Sequence, residues 1–306
     1  MKRSVGMGIK VCASIPHFFK EGNDSQDGSG YGSSRMGNKT EREKSITRCL
    51  ERLILMRKSE NDFILNIAKN SIDTTRNGTG ENTFVDIEIN MFMNNKNICK
   101  NSLREFSKYI DIHSSKEKDP RMIPLEAMRY LLFNAGEADY YIYMEDDLVI
   151  NDTSFLDKIN WFYNQTNHKF ILMPHRYERT VANSPKKLYV DGPIRSARYH
   201  RTDETYKEEI VASGIMMGKK VTFVEASNPH SGMLIFSNIQ RGVLKESWPP
   251  SEFVSPLETA ATGTALEKFP ILKTSWDTRD EFQIEHGNPS FLKYINLWSQ
   301  LSKSLS

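Results

Sequence analysis

The sequence has few cysteines, and their spacing is unsuited to cross-linking. Cys12, Cys49 and Cys99 are an odd number and include no Cys-x-x-Cys pair. This pattern argues against a disulfide framework and a structural zinc site, and it favours a reducing compartment. We therefore expect a cytoplasmic protein.

Long hydrophobic runs are also lacking. No stretch approaches the roughly 20 apolar residues that are needed to cross a bilayer. Lys2 and Arg3 are followed by no apolar run of signal-peptide length. The sequence thus predicts no transmembrane segment, and it leaves peripheral membrane contact open.

The sequence carries almost no net charge. The formal net charge of the 306 residues is +2, which gives no support for bulk attraction to nucleic acid. We expect no nucleic-acid partner, and recognition of an anionic ligand has to come from local arrangement. With 38% hydrophobic and 26% charged residues, the composition is that of a globular protein, and we interpret 1–306 as one domain.

Apolar runs typical of strands alternate with amphipathic runs typical of helices in the N-terminal half. The predicted strands are 9–15, 83–92, 140–144 and 169–173, and the predicted helices are 41–58, 124–134 and 155–163. This alternation predicts an α/β fold with a mainly parallel sheet flanked by helices. Ligands of such sheets bind beyond the carboxyl ends of the strands.

The pattern loosens in the C-terminal half. The segment 175–220 is polar and locally basic, and it predicts an inserted region of hairpins or loops. A strand is predicted at 231–237 and a helix at 256–268, and the tail 291–301 fits one more amphipathic helix.

Three acids, Glu145, Asp146 and Asp147, directly follow the apolar run Tyr140–Met144. If strand alternation continues, Glu145 and Asp147 share one side and Asp146 faces the other. Carboxylates this close repel one another, and a divalent cation such as Mn²⁺ or Mg²⁺ would relieve the repulsion. The structural alternative is an acidic turn that caps the next element.

The stretch YYIYMEDDLVI resembles the metal-binding strand end of glycosyltransferases with the GT-A fold. It is most similar to the Glu-Asp-Asp form found in inverting N-acetylglucosaminyltransferases. The resemblance implies a Rossmann-like nucleotide-sugar-binding half at 1–150 and an acceptor and catalytic half at 151–306. It also implies that Asp147 coordinates the metal that holds the donor diphosphate, while Glu145 and Asp146 hold the sugar and ribose.

The same resemblance implies further donor-binding and metal-binding residues. The donor candidates are Pro16 and His17 after the first strand, Tyr31 and Arg35 in the glycine-rich loop, and His230 before a later strand. Tyr31 would stack on a base and Arg35 would pair with phosphate. His286 matches the late histidine that serves many GT-A enzymes as a metal or phosphate ligand. For each residue, a flexible loop or a satisfied structural histidine is the alternative.

Glu258 is the candidate catalytic base. Ser255 and Pro256 have the form of a helix start, and Glu258 falls at the capping-box position. Capping alone is therefore one explanation of this glutamate. Inverting GT-A enzymes place an acid near an equivalent helix start to deprotonate the acceptor, and the resemblance implies that role for Glu258. Glu252 and Asp277 are the next candidates.

The predicted activity is transfer of a hexosyl or N-acetylhexosaminyl group from a nucleotide-diphosphate-sugar to a hydroxyl acceptor. The acceptor is a glycan or a lipid-linked glycan, and the setting that fits is glycan or surface polysaccharide synthesis. An inverting outcome is expected, and a retaining one stays open. The alternatives are a metal-dependent nucleotidyltransferase or phosphohydrolase, and a non-catalytic carbohydrate-binding protein.

Overall fold

A computed structural model of the chain describes residues 8–20, 39–59, 61–76, 84–94, 98–180, 186–192, 209–292 and 294–295. The strands within these ranges are β1 Ile9–His17, β2 Asn61–Asn66, β3 Ser71–Arg76, β4 Val85–Met93, β5 Asp111–Ser114, β6 Tyr140–Met144, β7 Leu148–Val149, β8 Ile171–Leu172, β9 His175–Arg179, β10 Lys187–Tyr189, β11 Ile210–Met216, β12 Lys219–Glu225, β13 Met233–Ser237, β14 Ile271–Thr274 and β15 Gln283–His286.

The α-helices of the same ranges are α1 Lys39–Leu55, α2 Lys100–Glu105, α3 Ile123–Phe133, α4 Phe155–Gln165, α5 Asn238–Glu246, α6 Pro256–Glu258 and α7 Thr264–Leu266. A π-helical turn, Thr259–Gly263, joins α6 to α7 without leaving the helical region of backbone space. Short 3₁₀ turns occupy Pro120–Met122 and Trp276–Glu281.

The central sheet has five strands in the order β13-β6-β1-β4-β5. Strands β6, β1, β4 and β5 run parallel to their neighbours, and β13 pairs antiparallel with β6 at one edge. The predicted α/β class with a mainly parallel sheet flanked by helices is therefore confirmed.

Helices cover both faces of this sheet, and the alternation of side chains along each strand divides the core in two. One cluster packs α1 against Val11, Ala13 and Ile142. The other packs α3 against Cys12, Tyr141 and Tyr143. Because β6 supplies side chains to both clusters, every residue of Tyr140–Met144 is buried, as an apolar run without alternation predicts.

Two strands differ in detail from their predictions. We expected Pro16 to end the first strand, but β1 continues to His17. Strand β6 pairs with β1 only as far as Ser14, so Pro16 faces a neighbour on the β4 side alone, and its missing N–H disrupts no ladder on the other. For β4 the sequence left the buried face undecided, and the structure buries Val85, Ile87 and Ile89.

The inserted region contains hairpins, as predicted. Strands β9 and β10 pair antiparallel, and so do β11 and β12. They belong to two smaller sheets of order β10-β9-β15-β7 and β11-β12-β14-β8. The strand predicted at 169–173 shortens to the two residues of β8, and most of the predicted C-terminal helix lies outside the described residues.

Strands β2 and β3 form a separate two-stranded hairpin that we did not predict. Cys12, Cys49 and Cys99 are buried free thiols. Among the helices in the described ranges, none combines the length and apolar character needed to cross a bilayer.

Candidate active site

Several of the predicted site residues lie near one another where β1 and β6 end. Parallel pairing of these strands brings His17 near the acids that follow Met144. Pairing of β15 with β7 then places His286 beside Leu148, one residue beyond Asp147. The Gly287 N–H donates to the Asp147 carbonyl at 2.7 Å, which fixes this approach.

Arg42 of α1 lies at the centre of the acids. Its Nη2 donates to Asp146 Oδ1 at 2.6 Å and Oδ2 at 2.7 Å, and its Nη1 donates to Asp147 Oδ2 at 2.9 Å. Arg42 is only 4% exposed. Burial alone would lower the pKa of Arg42, but the charges of Asp146 and Asp147 raise it, so the guanidinium is held charged.

This arrangement corrects the predicted orientation of the acids. We expected Asp146 and Asp147 on opposite sides of an extended strand, whereas both point to Arg42. The physical reason is that β6 ends at Met144, and Asp146-Asp147 form a turn in which strand alternation no longer holds. Arg42 also removes part of the carboxylate repulsion from which we predicted a cation.

His17 supports the same acids from β1. Its Nε2 accepts the backbone N–H of Cys99 at 3.0 Å, which leaves Nδ1 to donate to Asp146 Oδ2 at 2.5 Å. Both ring nitrogens are thus used within the protein, and the side chain is buried. His17 fixes the position of Asp146.

The side chains of Asp147 and His286 face each other. His286 Nε2 lies 3.5 Å from Asp147 Oδ2, and the second oxygen, Oδ1, is buried with no hydrogen-bond partner in the described part of the chain. His286 Nδ1 lies 2.8 Å from Glu178 Oε1. Glu178 in turn accepts the backbone N–H groups of 290–292, so the imidazole is held in one orientation.

The charges of these groups are strongly linked. Burial would lower the pKa of His286, but Asp147 and Glu178 raise it to about 9. Burial would raise the pKa of Asp147, but His286 and then Arg42 hold it well below its usual range. Without a bound cation, the pair is therefore an aspartate beside a protonated histidine, and a cation would have to replace the proton on Nε2.

Glu145 is enclosed beside this pair. Its N–H donates to the Gly232 carbonyl at 2.9 Å, and a Cβ added at Gly232 would lie 2.8 Å from the Glu145 carboxyl carbon. Burial, and secondarily the charge of Asp147, raises the pKa of Glu145 to about 7. Glu145 Oε1 has no hydrogen-bond partner in the described ranges.

Glu258 is the last residue of α6. Its charge makes a minor contribution to the raised pKa of Glu145. The Glu258 N–H donates to Ser255 Oγ at 3.4 Å, as a capping residue predicts. Glu258 Oε2 is buried without a hydrogen-bond partner in the residues described. The cap therefore uses the Glu258 N–H and not its carboxylate.

A second group of charges surrounds His230. Lys273 Nζ donates to the His230 carbonyl at 2.7 Å and lies 3.6 Å from Asp191, which also accepts from Arg176 Nη2 at 2.9 Å. Burial, followed by the charge of Arg176, lowers the pKa of His230 to about 4. His230 is therefore a neutral imidazole.

Not every predicted donor residue lies in this cluster. Pro16 is inside β1, one residue before His17. Tyr31 and Arg35 lie outside the described residues. Their roles stay predictions.

Sequence reasoning missed Arg42, Glu178 and Arg176. Arg42 had a detectable signal, because it precedes Ile46 and Cys49 at helical spacing and so occupies the buried face of α1. Glu178 and Arg176 come from β9, in a region where the sequence shows no period. No local signal pointed to them.

Asp147 and His286 have the chemistry of part of a divalent-metal site. An orphaned carboxylate oxygen lies beside an imidazole whose other nitrogen is held by a carboxylate, an arrangement common around metal-binding histidines. No group of three or more His, Cys, Asp or Glu side chains suited to a metal occurs in the described residues. Within the described residues, Asp147 and His286 are therefore two candidate ligands, fewer than a complete site needs.

Comparisons with known proteins add little beyond these observations. No protein-family model and no curated protein sequence matches the chain. Among solved structures, S. aureus TarS 1-349 is similar over 87% of this chain and 58% of its own length, with 12% identity and a TM-score of 0.42. GalNAc-T7 with UDP, GalNAc and Mn²⁺ is similar over 93% of this chain and 45% of its own, with 10% identity and a TM-score of 0.41. The chain thus spans little more than half the length of TarS 1-349 and less than half the length of GalNAc-T7.

Proposed function

We propose that the chain is a glycosyltransferase that moves a sugar from a nucleotide-diphosphate-sugar to a hydroxyl acceptor. The observation that carries the proposal is the pairing of Asp147 with His286 where two parallel strands end, with Asp147 Oδ1 buried and without a hydrogen-bond partner in the described residues. This is the place where a doubly wound sheet binds its ligand. The Glu-Asp-Asp resemblance supports the same activity.

Asp147 and His286 would hold a divalent cation, Mn²⁺ or Mg²⁺. Such a cation neutralises the charge that develops on a departing nucleoside diphosphate. Glu178 keeps His286 oriented, and Arg42 with His17 keeps Asp146 and Asp147 in place. Asp146, Glu145 and His230 are proposed to contact the donor, and so are Pro16, Tyr31 and Arg35.

Glu258 is proposed to accept the proton of the attacking hydroxyl. Its unpartnered Oε2 supports this role, because a carboxylate oxygen that is not used for capping is available as a base. Displacement with the base opposite the leaving group inverts the anomeric centre. A hexosyl or N-acetylhexosaminyl donor and an acceptor in glycan or surface polysaccharide synthesis complete the proposal.

The test is donor binding by Asp147→Asn, measured by calorimetric titration with nucleotide-sugars and Mn²⁺. We expect Mn²⁺-dependent binding in the wild type and its loss in Asp147→Asn. Asp157→Asn is the matched control, because Asp157 pairs with Lys58 and is more exposed. Undiminished Mn²⁺-dependent binding by Asp147→Asn would contradict the metal assignment.

Product analysis separates the proposed reaction from its alternatives. A glycosyltransferase releases a nucleoside diphosphate only when the acceptor is glycosylated. A nucleotidyltransferase releases pyrophosphate, and a phosphohydrolase releases inorganic phosphate without an acceptor. Either of the last two results would replace the proposed function.

A further inference from the structure

The segment 228–232, which leads into β13, is held in place by bonds from distant parts of the chain. Its His230 carbonyl accepts from Lys273 Nζ at 2.7 Å. Its Gly232 carbonyl accepts the Glu145 N–H at 2.9 Å. The backbone of this short segment therefore lies against the acids that follow β6.

A buried threonine joins the same segment to the helical stretch of the candidate base. Thr262 Oγ1 donates to the Pro229 carbonyl at 2.7 Å, and both residues are buried. Thr262 lies in the π-helical turn Thr259–Gly263, four residues after Glu258 and so about one helical turn further on. Because leaving a buried carbonyl without its donor is costly, this bond fixes the turn against Pro229.

The nearby hydroxyl of Thr264 is used differently. Its Oγ1 donates to the Ala260 carbonyl at 2.9 Å and lies 3.3 Å from the Thr259 carbonyl, both in the same helical stretch. Thr264 is buried as Thr262 is. A buried threonine hydroxyl in this stretch can thus be satisfied locally, so the bond from Thr262 to Pro229 is a specific link between two segments.

We propose that Thr262 is a positioning residue for the candidate base Glu258. Through Pro229 it holds the turn after Glu258 to a segment whose other end receives the Glu145 N–H, and so it sets where the Glu258 carboxylate lies relative to the acids after β6. Thr262 takes no part in proton transfer itself. The inference rests on the proposed role of Glu258, because a general base has to be within reach of the proton that it removes.

The first experiment compares turnover and donor affinity in Thr262→Val, which keeps the shape of the side chain and removes the hydroxyl. Turnover is measured as nucleoside diphosphate release from UDP- and GDP-hexoses with Mn²⁺ and p-nitrophenyl glycosides as acceptors. We expect kcat to fall on the order of 10- to 100-fold with the donor dissociation constant unchanged, because small displacements of a reacting group are costly. Unchanged kcat would overturn the proposal.

Two further variants serve as rescue and control. Thr262→Ser keeps the hydroxyl and should recover most of the lost turnover. Thr264→Val is the matched control, because it removes a buried hydroxyl that bonds within the helical stretch, and it should keep wild-type turnover. Failure of Thr262→Ser to recover activity, or an equal loss in Thr264→Val, would overturn the proposal.

A double-mutant cycle separates positioning from general damage. If Thr262 acts through Glu258, then Thr262→Val lowers kcat in the wild type and has almost no effect in the Glu258→Gln background. Equal fold-losses in the two backgrounds would overturn the proposal. Normal transfer by Glu258→Gln alone is a separate result, which refutes the proposed base and leaves Thr262 no base to position.

Hydrogen exchange of the folded protein tests the link independently of the reaction. Without the bond to Pro229, the segment should loosen, and the Glu145 amide that bonds to Gly232 should lose protection in Thr262→Val but not in Thr264→Val. Unchanged protection would mean that the segment is held without Thr262, which would overturn the proposal. If Thr262→Val does not fold, Thr262→Cys replaces it, since a thiol donates weakly and should give an intermediate loss.

Discussion

At the scale of single residues, position 232 requires a glycine for two reasons. It has a φ of +65°, and an added Cβ would meet the Glu145 carboxyl group. We expect Gly232→Ala to cost about 1–3 kcal/mol in the free energy of unfolding for the backbone strain, and more because Glu145 must move. Urea denaturation measures the loss.

Gly218→Ala separates the two costs. Gly218 has a φ of +79°, but nothing lies within 4 Å of its added Cβ. The excess loss of Gly232→Ala over Gly218→Ala therefore measures the contact with Glu145. Equal losses would mean that Glu145 moves freely and is not held against Gly232.

Glu258→Gln tests the proposed base. The Ser255 hydroxyl caps the helix by accepting the Glu258 N–H, and this bond does not involve the carboxylate. Glutamine therefore keeps the cap and removes the base, and turnover should fall by about 10²–10⁴-fold with donor affinity unchanged. Steady-state kinetics and a donor titration measure both quantities.

Glu267→Gln is the control for that substitution. Glu267 follows α7, is exposed, and accepts hydrogen bonds from Ser251, so it makes the same charge change outside the site. Its turnover should match the wild type. Turnover by Glu258→Gln within a few-fold of wild type would move the base to another acid, with Glu252 and Asp277 the first candidates.

At the scale of elements, α1 matters because it carries Arg42 beneath the carboxylates. Replacement by methionine fills much of the space but leaves Asp146 and Asp147 without their shared counter-charge. Breaking a buried pair in this way typically costs about 3–5 kcal/mol. Arg42→Met should also respond more strongly to Mn²⁺ than the wild type does, because Asp147 no longer binds the guanidinium. Urea unfolding and thermal melting, each with and without Mn²⁺, are the measurements.

Arg48→Met provides the comparison on the same helix. Arg48 pairs with Glu285, but its side chain is 40% exposed, and Asn151 and Arg179 also contact Glu285. Its loss should cost much less. If both variants lose the same stability and respond equally to Mn²⁺, Arg42 is not the counter-charge of the acids.

The elements that the sequence predicted well are those whose burial is decided locally. β6 is apolar on both faces because helices cover both, and α3 carries its apolar side chains at helical spacing, so both appear close to their predicted bounds. The β2–β3 hairpin went unnoticed because Phe63, Ile64 and Leu65 are consecutive and show no period of two. A period of two is diagnostic only when one face meets a core.

The site was predictable in part for a related reason. Asp147 and Glu145 follow a strand that the sequence identifies, whereas their partners are brought in from α1, β9 and β15. The orientation of Asp146 was wrong because alternation was extended beyond the end of β6. Contacts between distant segments depend on strand order, which composition and spacing do not encode.

At the scale of the whole molecule, we expect the three buried thiols to be unreactive while the protein is folded. Burial, and then the charge of Glu88, raises the pKa of Cys12 to about 12. Burial, and then the charge of Asp146, raises the pKa of Cys99 to about 12. Burial also raises the pKa of Cys49. Only thiolates react readily with alkylating reagents. Each cysteine should therefore be labelled only at the rate at which its surroundings open.

The labelling rate of each of the three cysteines therefore reports how often the part of the fold around it opens. The Cys99 N–H donates to His17, and the charges of Asp146 and Asp147 contribute to the raised pKa of Cys49. Cys12 lies in the other core cluster, on the opposite face of the sheet. A nucleotide-sugar with Mn²⁺ should slow iodoacetamide labelling of Cys49 and Cys99 more than that of Cys12, as mass spectrometry of the labelled peptides would record. Uniform slowing would mean that the molecule opens only as a whole, and no change at all would mean that the ligand binds elsewhere.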